Sequence, residues 1–208
     1  SDEVRITVHG KGGHAAMPHK LVDPVVTASH IVVSLQQMVS RWADPNVPTV
    51  LSFGRIQGNG ANNVIPDEVY LEGTFRTFDE TWRARALNQL KEMAGHLAKG
   101  MGAEADVRIS PGYPALYNDE ALTNRIRENA HAYLGAEQVY QLPPRPTAED
   151  FAFYAQQLPA SFYRLGVADP ANPDKQHALH TSRFDIDEES LKPGVGLMVY
   201  MALQEMAY

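Results

Sequence analysis

A chain of 208 residues with 44% hydrophobic residues is long enough to bury the core of one large domain or two small ones. Its formal charge of -7, with 18 Lys and Arg scattered rather than gathered in a stripe, argues against a nucleic-acid partner. The absence of cysteine excludes disulfides, thiolate zinc sites and a cysteine nucleophile together, so any metal site has to use His, Asp or Glu.

Residues 3 to 9 alternate, with Val4, Ile6 and Val8 on one face and Arg5, Thr7 and His9 on the other, the pattern of a half-buried strand. The glycine-rich stretch GKGGHAAMPHK follows, from Gly10 to Lys20. Asp23 and Pro24 then supply a cap and a first-turn proline for an amphipathic helix carrying Val25, Ala28, Val32, Leu35, Val39 and Trp42. Strands are expected over Thr49 to Ile56 and Glu68 to Thr77, the latter with Val69, Leu71 and Phe75 opposing Tyr70, Glu72, Thr74 and Arg76. Between them lies the turn-rich QGNGANNVIPD. Asp79 caps a second helix with Trp82, Ala86, Leu90, Met93 and Leu97, which Gly100 and Gly102 end before a strand over Glu104 to Ile109. Strand, helix, strand, strand, helix, strand is the order of a split βαβ, ferredoxin-like sandwich. The expected domain is 1–109, with its boundary in Ser110 to Asp119.

The remainder, 110–208, reads as pieces. A helix after Asn118 carries Leu122, Ile126 and Ala130 and ends at Gly135, and the proline-rich LPPRP follows. A short helix is expected from Thr147 to Leu158, a strand over Ser161 to Val167, a long loop, and a last helix from about Glu188. Two strands cannot make a buried sheet alone, so this half resembles the end of an α/β domain whose earlier strands lie elsewhere.

Several residues carry two readings. His14 is either a surface residue beside a glycine turn or a donor on a loop whose glycines let backbone approach a ligand. His14 and His19 are five apart with Pro18 between, which suits neither helix nor strand geometry for one metal ion. Asn62 and Asn63 are turn residues or paired amides facing a polar substrate. Arg76 is a solvated charge, a partner for Glu72, or a bidentate clamp on a substrate carboxylate. Thr147 with Asp150 resembles a capping box, which would leave Glu149 and Asp150 with no task beyond starting a helix. His177 and His180 lie in the loop KQHALHTSRFD, with no ligand partners close in sequence.

Taken together, GKGGHAAMPH, the helix-opening DP, NNVIPD, GTFRT, AEDFAFY, RLG and LHTSRFD, in that order, resemble metallopeptidase family twenty. The branch is that of dinuclear-metal amidohydrolases acting on N-acyl amino acids, hippurate and auxin conjugates. The resemblance covers nearly the whole chain. It implies an α+β architecture: a ferredoxin-like lid over 1–109 and, over 110–208, the C-terminal portion of an α/β zinc-peptidase-like catalytic domain. It further implies hydrolysis of an N-acyl amino acid by metal-activated water, with lids pairing in a homodimer. His14 would be the lid histidine that reaches the partner subunit's active site and stabilises the oxyanion. Asn62, Asn63 and Arg76 would contact substrate, and His180 would be the final metal ligand, with Glu149 and Asp150 as supporting or helix-capping candidates. The cofactor implied is a divalent metal, two ions in the complete enzyme, zinc first, with manganese, cobalt or nickel suiting the same ligand types.

The family's early His-x-Cys-Gly-His-Asp motif and its Glu-Glu pair have no counterpart here. The chain alone is therefore expected to be inactive. The alternative from another class is a non-catalytic dimerisation or small-molecule-binding module. No apolar run reaches the length of a spanning helix, and the opening SDEVRITVHG lacks the basic start and apolar middle of a signal peptide. The default expectation is a cytoplasmic protein.

Overall fold

The computed structural model describes residues 1–169, 171–172 and 176–207. The strands are β1 (Asp2–His9), β2 (Gly13–His14), β3 (Thr49–Gly58), β4 (Val64–Ile65), β5 (Glu68–Thr77) and β6 (Glu104–Pro111). The helices are α1 (Pro24–Leu35), α2 (Glu80–Gly100), α3 (Glu120–Leu134), α4 (Ala152–Ala155) and α5 (Leu191–Glu205). The chain divides into two compact units, Ser1–Leu116 with Arg145–Phe153 and Tyr117–Pro144 with Tyr154–Tyr208.

The first unit is the ferredoxin-like sandwich that the sequence suggests. Its four-stranded sheet has the order β3-β5-β1-β6, antiparallel throughout, with β2 and β4 forming a separate small ribbon. Val4, Ile6 and Val8 of β1 and Val69, Leu71 and Phe75 of β5 are buried, and they share one core with Ala28, Ile31 and Leu35 of α1 and Ala86, Leu90 and Ala94 of α2. Each fully buried large apolar side chain contributes about 1.5–3 kcal/mol relative to exposure. On the opposite face a cross-strand row places Glu72 between Arg5 and Arg55, each at 3.5 Å. A hydrogen bond with Glu3 and the guanidinium of Arg5 hold the Glu72 carboxyl below the usual range.

Both helices start as their sequences dictate. Asp23 Oδ1 accepts the N–H groups of Val25 and Val26 at 2.8 and 3.1 Å, and an Asp79 carboxylate oxygen accepts that of Trp82 at 2.7 Å. The end of α2 is a Schellman arrangement: Ala103 N–H reaches the Ala98 carbonyl and Gly102 N–H that of Lys99, with Gly102 at φ +77.

The inward face of α1 and of the turn after it keeps Ala28, Val32, Leu35 and Val39 of the expected stripe against the core and widens it with Ile31 and Met38. Ala28, Ile31, Leu35 and Met38 point into the core, whereas Val25 is 42% exposed, and the chain passes into a π turn over Met38–Trp42. The two ends of the expected stripe, Val25 and Trp42, stay exposed.

In the second unit, α3 is capped by Asp119, whose carboxylate accepts Leu122 N–H at 2.8 Å, and it ends at Gly135. Ala130, Leu197 and Met201 form the buried contact between α3 and α5, and Arg125 grips Glu205 across it. Along α5, Leu191, Val195, Val199 and Leu203 make an apolar ridge exposed at 50–66%.

Two expectations fail here. The helix expected over Thr147 to Leu158 is a single turn, Ala152–Ala155, because Pro143, Pro144 and Pro146 hold the preceding backbone away from helical angles and a short helix is marginal without packing. No strand forms over Ser161 to Val167, since a strand exists only beside another. There the Asn118 amide clips Phe162, donating to its carbonyl at 2.9 Å and accepting its N–H at 2.8 Å, and the Val167 carbonyl accepts Asp187 N–H at 2.8 Å.

Candidate functional site

The glycine-rich stretch is a closed loop. Lys11 and Val22 exchange backbone hydrogen bonds at its neck, 2.8 and 3.0 Å, and Gly10 N–H reaches the Asp67 carbonyl at 2.8 Å. Inside it, Gly12 lies so close to the Ile65–Pro66 backbone that a Cβ there would come within 2.4 Å of the Ile65 carbonyl oxygen. The residue is glycine because no side chain fits. This approach brings β2 against β4, pairing Gly13 with Ile65 and His14 with Val64.

The same ribbon carries the asparagines. Ala61 and Val64 exchange hydrogen bonds at 2.9 and 3.1 Å, which makes Asn62 and Asn63 the two central residues of a tight turn. Neither is left-handed; among the described residues His180 is the one non-glycine with positive φ, at 65. Ala15 N–H donates to the Asn63 carbonyl at 3.0 Å, so the backbone of Asn63 is tied to the residue after His14 while both asparagine side chains remain exposed. His14, Asn62 and Asn63 thus share one exposed ribbon.

The imidazole of His14 is oriented locally. Its Nδ1 accepts the Ala16 N–H at 3.1 Å. The loop itself is held by Asp67, whose Oδ1 accepts Gly12 N–H at 2.8 Å. Asp67 and Ala16 gave no signal in the sequence, because one acts on a residue 55 positions away and the other through its backbone alone. His19 sits apart on a one-turn 3-10 helix, Pro18–Lys20, and is exposed.

Arg76 is not part of this ribbon. It lies near the far end of β5, and its guanidinium donates to the Pro146 carbonyl at 3.1 Å. Glu72 pairs with Arg5 and Arg55, so of the readings open to Arg76 a pairing with Glu72 is not the one formed. Following Pro146, Glu149 accepts Phe151 N–H at 3.4 Å through its carboxylate and Ala152 N–H at 3.2 Å through its carbonyl, and the Asp150 carbonyl accepts Phe153 N–H at 3.0 Å. These groups start the single turn of α4.

His180 is exposed in a turn of the second unit, where Thr181 N–H reaches the Ala178 carbonyl. Lys175, the first residue of the expected histidine loop, lies outside the described residues. Among the described residues no three His, Asp or Glu groups converge to hold a metal ion.

Comparison with known proteins sets these features in a family. Residues 1–102 match the model described as a peptidase dimerisation domain of the M20 family. An N-acetyl-L-cysteine deacetylase of Bacillus subtilis is 37% identical over 190 residues, covering 91% of this chain and 44% of the relative. The chain belongs to the M20 family. An IAA-amino acid hydrolase of Arabidopsis thaliana, ILR1-like 4, is 35% identical over 199 residues, 94% of this chain and 45% of that protein. The crystal structure of Bacillus subtilis YXEP, a dinuclear metal binding peptidase of the M20 family, superposes with a TM-score of 0.72 at 29% identity, covering 97% of this chain and 48% of that one. The chain thus spans about half the length of the relatives it matches. Among the described residues no helix is long and apolar enough to cross a membrane.

Proposed function

We propose that this chain is the lid and the closing part of the catalytic domain of a metal-dependent amidohydrolase that cleaves N-acyl amino acids, working as a homodimer through the lid. One observation carries the reading. The ribbon bearing His14 and Asn63 joins the sheet at the Glu68 end of β5, and Arg76 stands eight residues further along it, about 27 Å away at 3.4 Å per residue. A small substrate held by Arg76 of one chain is out of reach of His14 in that chain. Both residues can serve one substrate when His14 comes from a second copy.

The lid has a surface suited to such a copy. β3 is an edge strand of the sheet and carries Ile56 at 60% exposure, and α1 presents Val26 and Val33 outward at 46% and 71%. An open edge beside exposed valines favours pairing with a like surface.

In this reading each residue has a defined task. Arg76 clamps the carboxylate of the amino-acid half through two parallel N–H donors. The side-chain amides of Asn62 and Asn63 offer donors to the acyl half. As the amide carbon is attacked, negative charge grows on the carbonyl oxygen, and the ring N–H of His14 meets it as a donor already in place. The metal is divalent, and its ligands other than His180, like the group that accepts the proton from water, belong to the part of the protein outside this chain. The exposed α5 ridge and segment 161–167, which has the composition of a strand, fit a sheet completed by that part.

The complete gene product, loaded with zinc or manganese, is expected to release free amino acid from an N-acetyl amino acid. Binding of such compounds without turnover would instead favour a non-catalytic module.

A further inference from the structure

The donor assigned to His14 depends on which ring nitrogen carries the proton, and the loop decides this. A backbone N–H can only donate. Because Ala16 N–H points at Nδ1 at 3.1 Å, Nδ1 has to present its lone pair, and the neutral ring then carries its proton on Nε2. The contact spans two residues, so it forms only while the backbone from His14 to Ala16 keeps its present turn. That turn is anchored on both sides. Ala15 N–H is held by the Asn63 carbonyl at 3.0 Å, and Met17 N–H by the His14 carbonyl at 2.9 Å. At the neck side of the ribbon Asp67 ties the loop twice: its side chain takes the Gly12 N–H at 2.8 Å, and its carbonyl takes that of Gly10 at 2.8 Å.

We infer that Asp67 is a positioning residue, locking the glycine loop onto β4 so that Ala16 N–H fixes His14 as the Nε2–H tautomer with its donor facing outward. The inference rests on the role given to His14 above, but its first test does not need catalysis. Asp67 touches no reacting atom here. It acts through Gly12, the loop backbone and Ala16, in the way that outer partners set the tautomer of working histidines.

The test is nitrogen NMR of the imidazoles in the 15N-labelled 208-residue chain, at a pH where His14 is neutral. His19, an exposed imidazole of the same loop, serves as the internal reference. The wild-type chain is expected to hold His14 as Nε2–H more completely than His19, with slow exchange at the Gly12 and Ala16 amides. Asp67→Ala should bring the His14 tautomer ratio to that of His19 and speed exchange at both amides. Asp67→Asn keeps an acceptor oxygen and should restore both readouts. A wild-type His14 no more biased than His19, or an Asp67→Asn chain that behaves like Asp67→Ala, overturns the inference. Should Asp67→Ala fail to fold, the wild-type ratio and the Asn variant decide alone.

In the complete enzyme, Asp67→Ala should lower kcat by about 10- to 100-fold with KM little changed, the signature of a misplaced transition-state donor. An enzyme that hydrolyses no N-acyl amino acid while the NMR results hold would remove the proposed function and leave the positioning role standing.

Discussion

His14 and Arg76 stand at opposite ends of one sheet. Residues 2 to 9 of β1 pair with residues 75 to 68 of β5, so the chain leaves β1 for the His14 loop at the edge where β5 begins, and Arg76 lies where β5 ends. Two side chains so placed cannot close on a small molecule within one chain, so the proposed site shared by both residues requires a second copy.

Replacing His14 by Ala should leave stability almost unchanged, because the side chain is exposed. Turnover by the complete enzyme should fall by about 100- to 1,000-fold, the usual loss when one oxyanion donor is removed. Steady-state kinetics alongside a urea melt checks both halves of this expectation.

Gly12→Ala tests the close approach of the loop. The new methyl would collide with backbone at Ile65 and Pro66, which has no rotamer to change, so β2 has to leave β4. The expected outcome is loss of turnover comparable to that of His14→Ala while the four-stranded core persists. An Ala variant with normal kcat and unchanged Ala15 amide protection would contradict the loop geometry.

Arg83 is the main electrostatic anchor of the first unit. Its Nη2 and Nε contact the two carboxylate oxygens of Asp2 at 2.6 and 2.8 Å, and the side chains are only 12% and 1% exposed. The hydrogen bond to Asp2 raises the Arg83 pKa further above its ordinary value. Arg83→Ala would strand a buried carboxylate, and the expected cost is about 3–5 kcal/mol in denaturant unfolding.

Much of the first unit was legible in the sequence because its signals are local. Alternation in Val4, Ile6 and Val8, the caps at Asp23 and Asp79, and Gly102 past the end of α2 each act within a few residues. The middle of the α1 stripe was legible as well, whereas its ends were not: Val25 and Trp42 are apolar at helical spacing yet exposed. Segment 161–167 carries the composition of a strand, yet a ladder depends on a neighbour that composition cannot supply. The β2–β4 ribbon was missed for the same reason: two residues pairing with two across about 50 positions leave no periodicity to read. In the candidate site, the glycines and His14 stood out, whereas Asp67, which holds them, did not. Its partner is a backbone N–H, and backbone leaves no mark in a sequence.

The most direct measurement is complementation between two inactive variants of the complete enzyme, His14→Ala and Arg76→Ala, purified apart, then unfolded and refolded together. A mixed dimer would contain one site with His14 from the Arg76→Ala chain and Arg76 from the His14→Ala chain, both intact. If the account holds, activity reappears on mixing, at about a quarter of the wild-type value for random pairing with one working site in half of the dimers. If each chain supplies both residues to its own site, every site in the mixture keeps one defect and no activity returns.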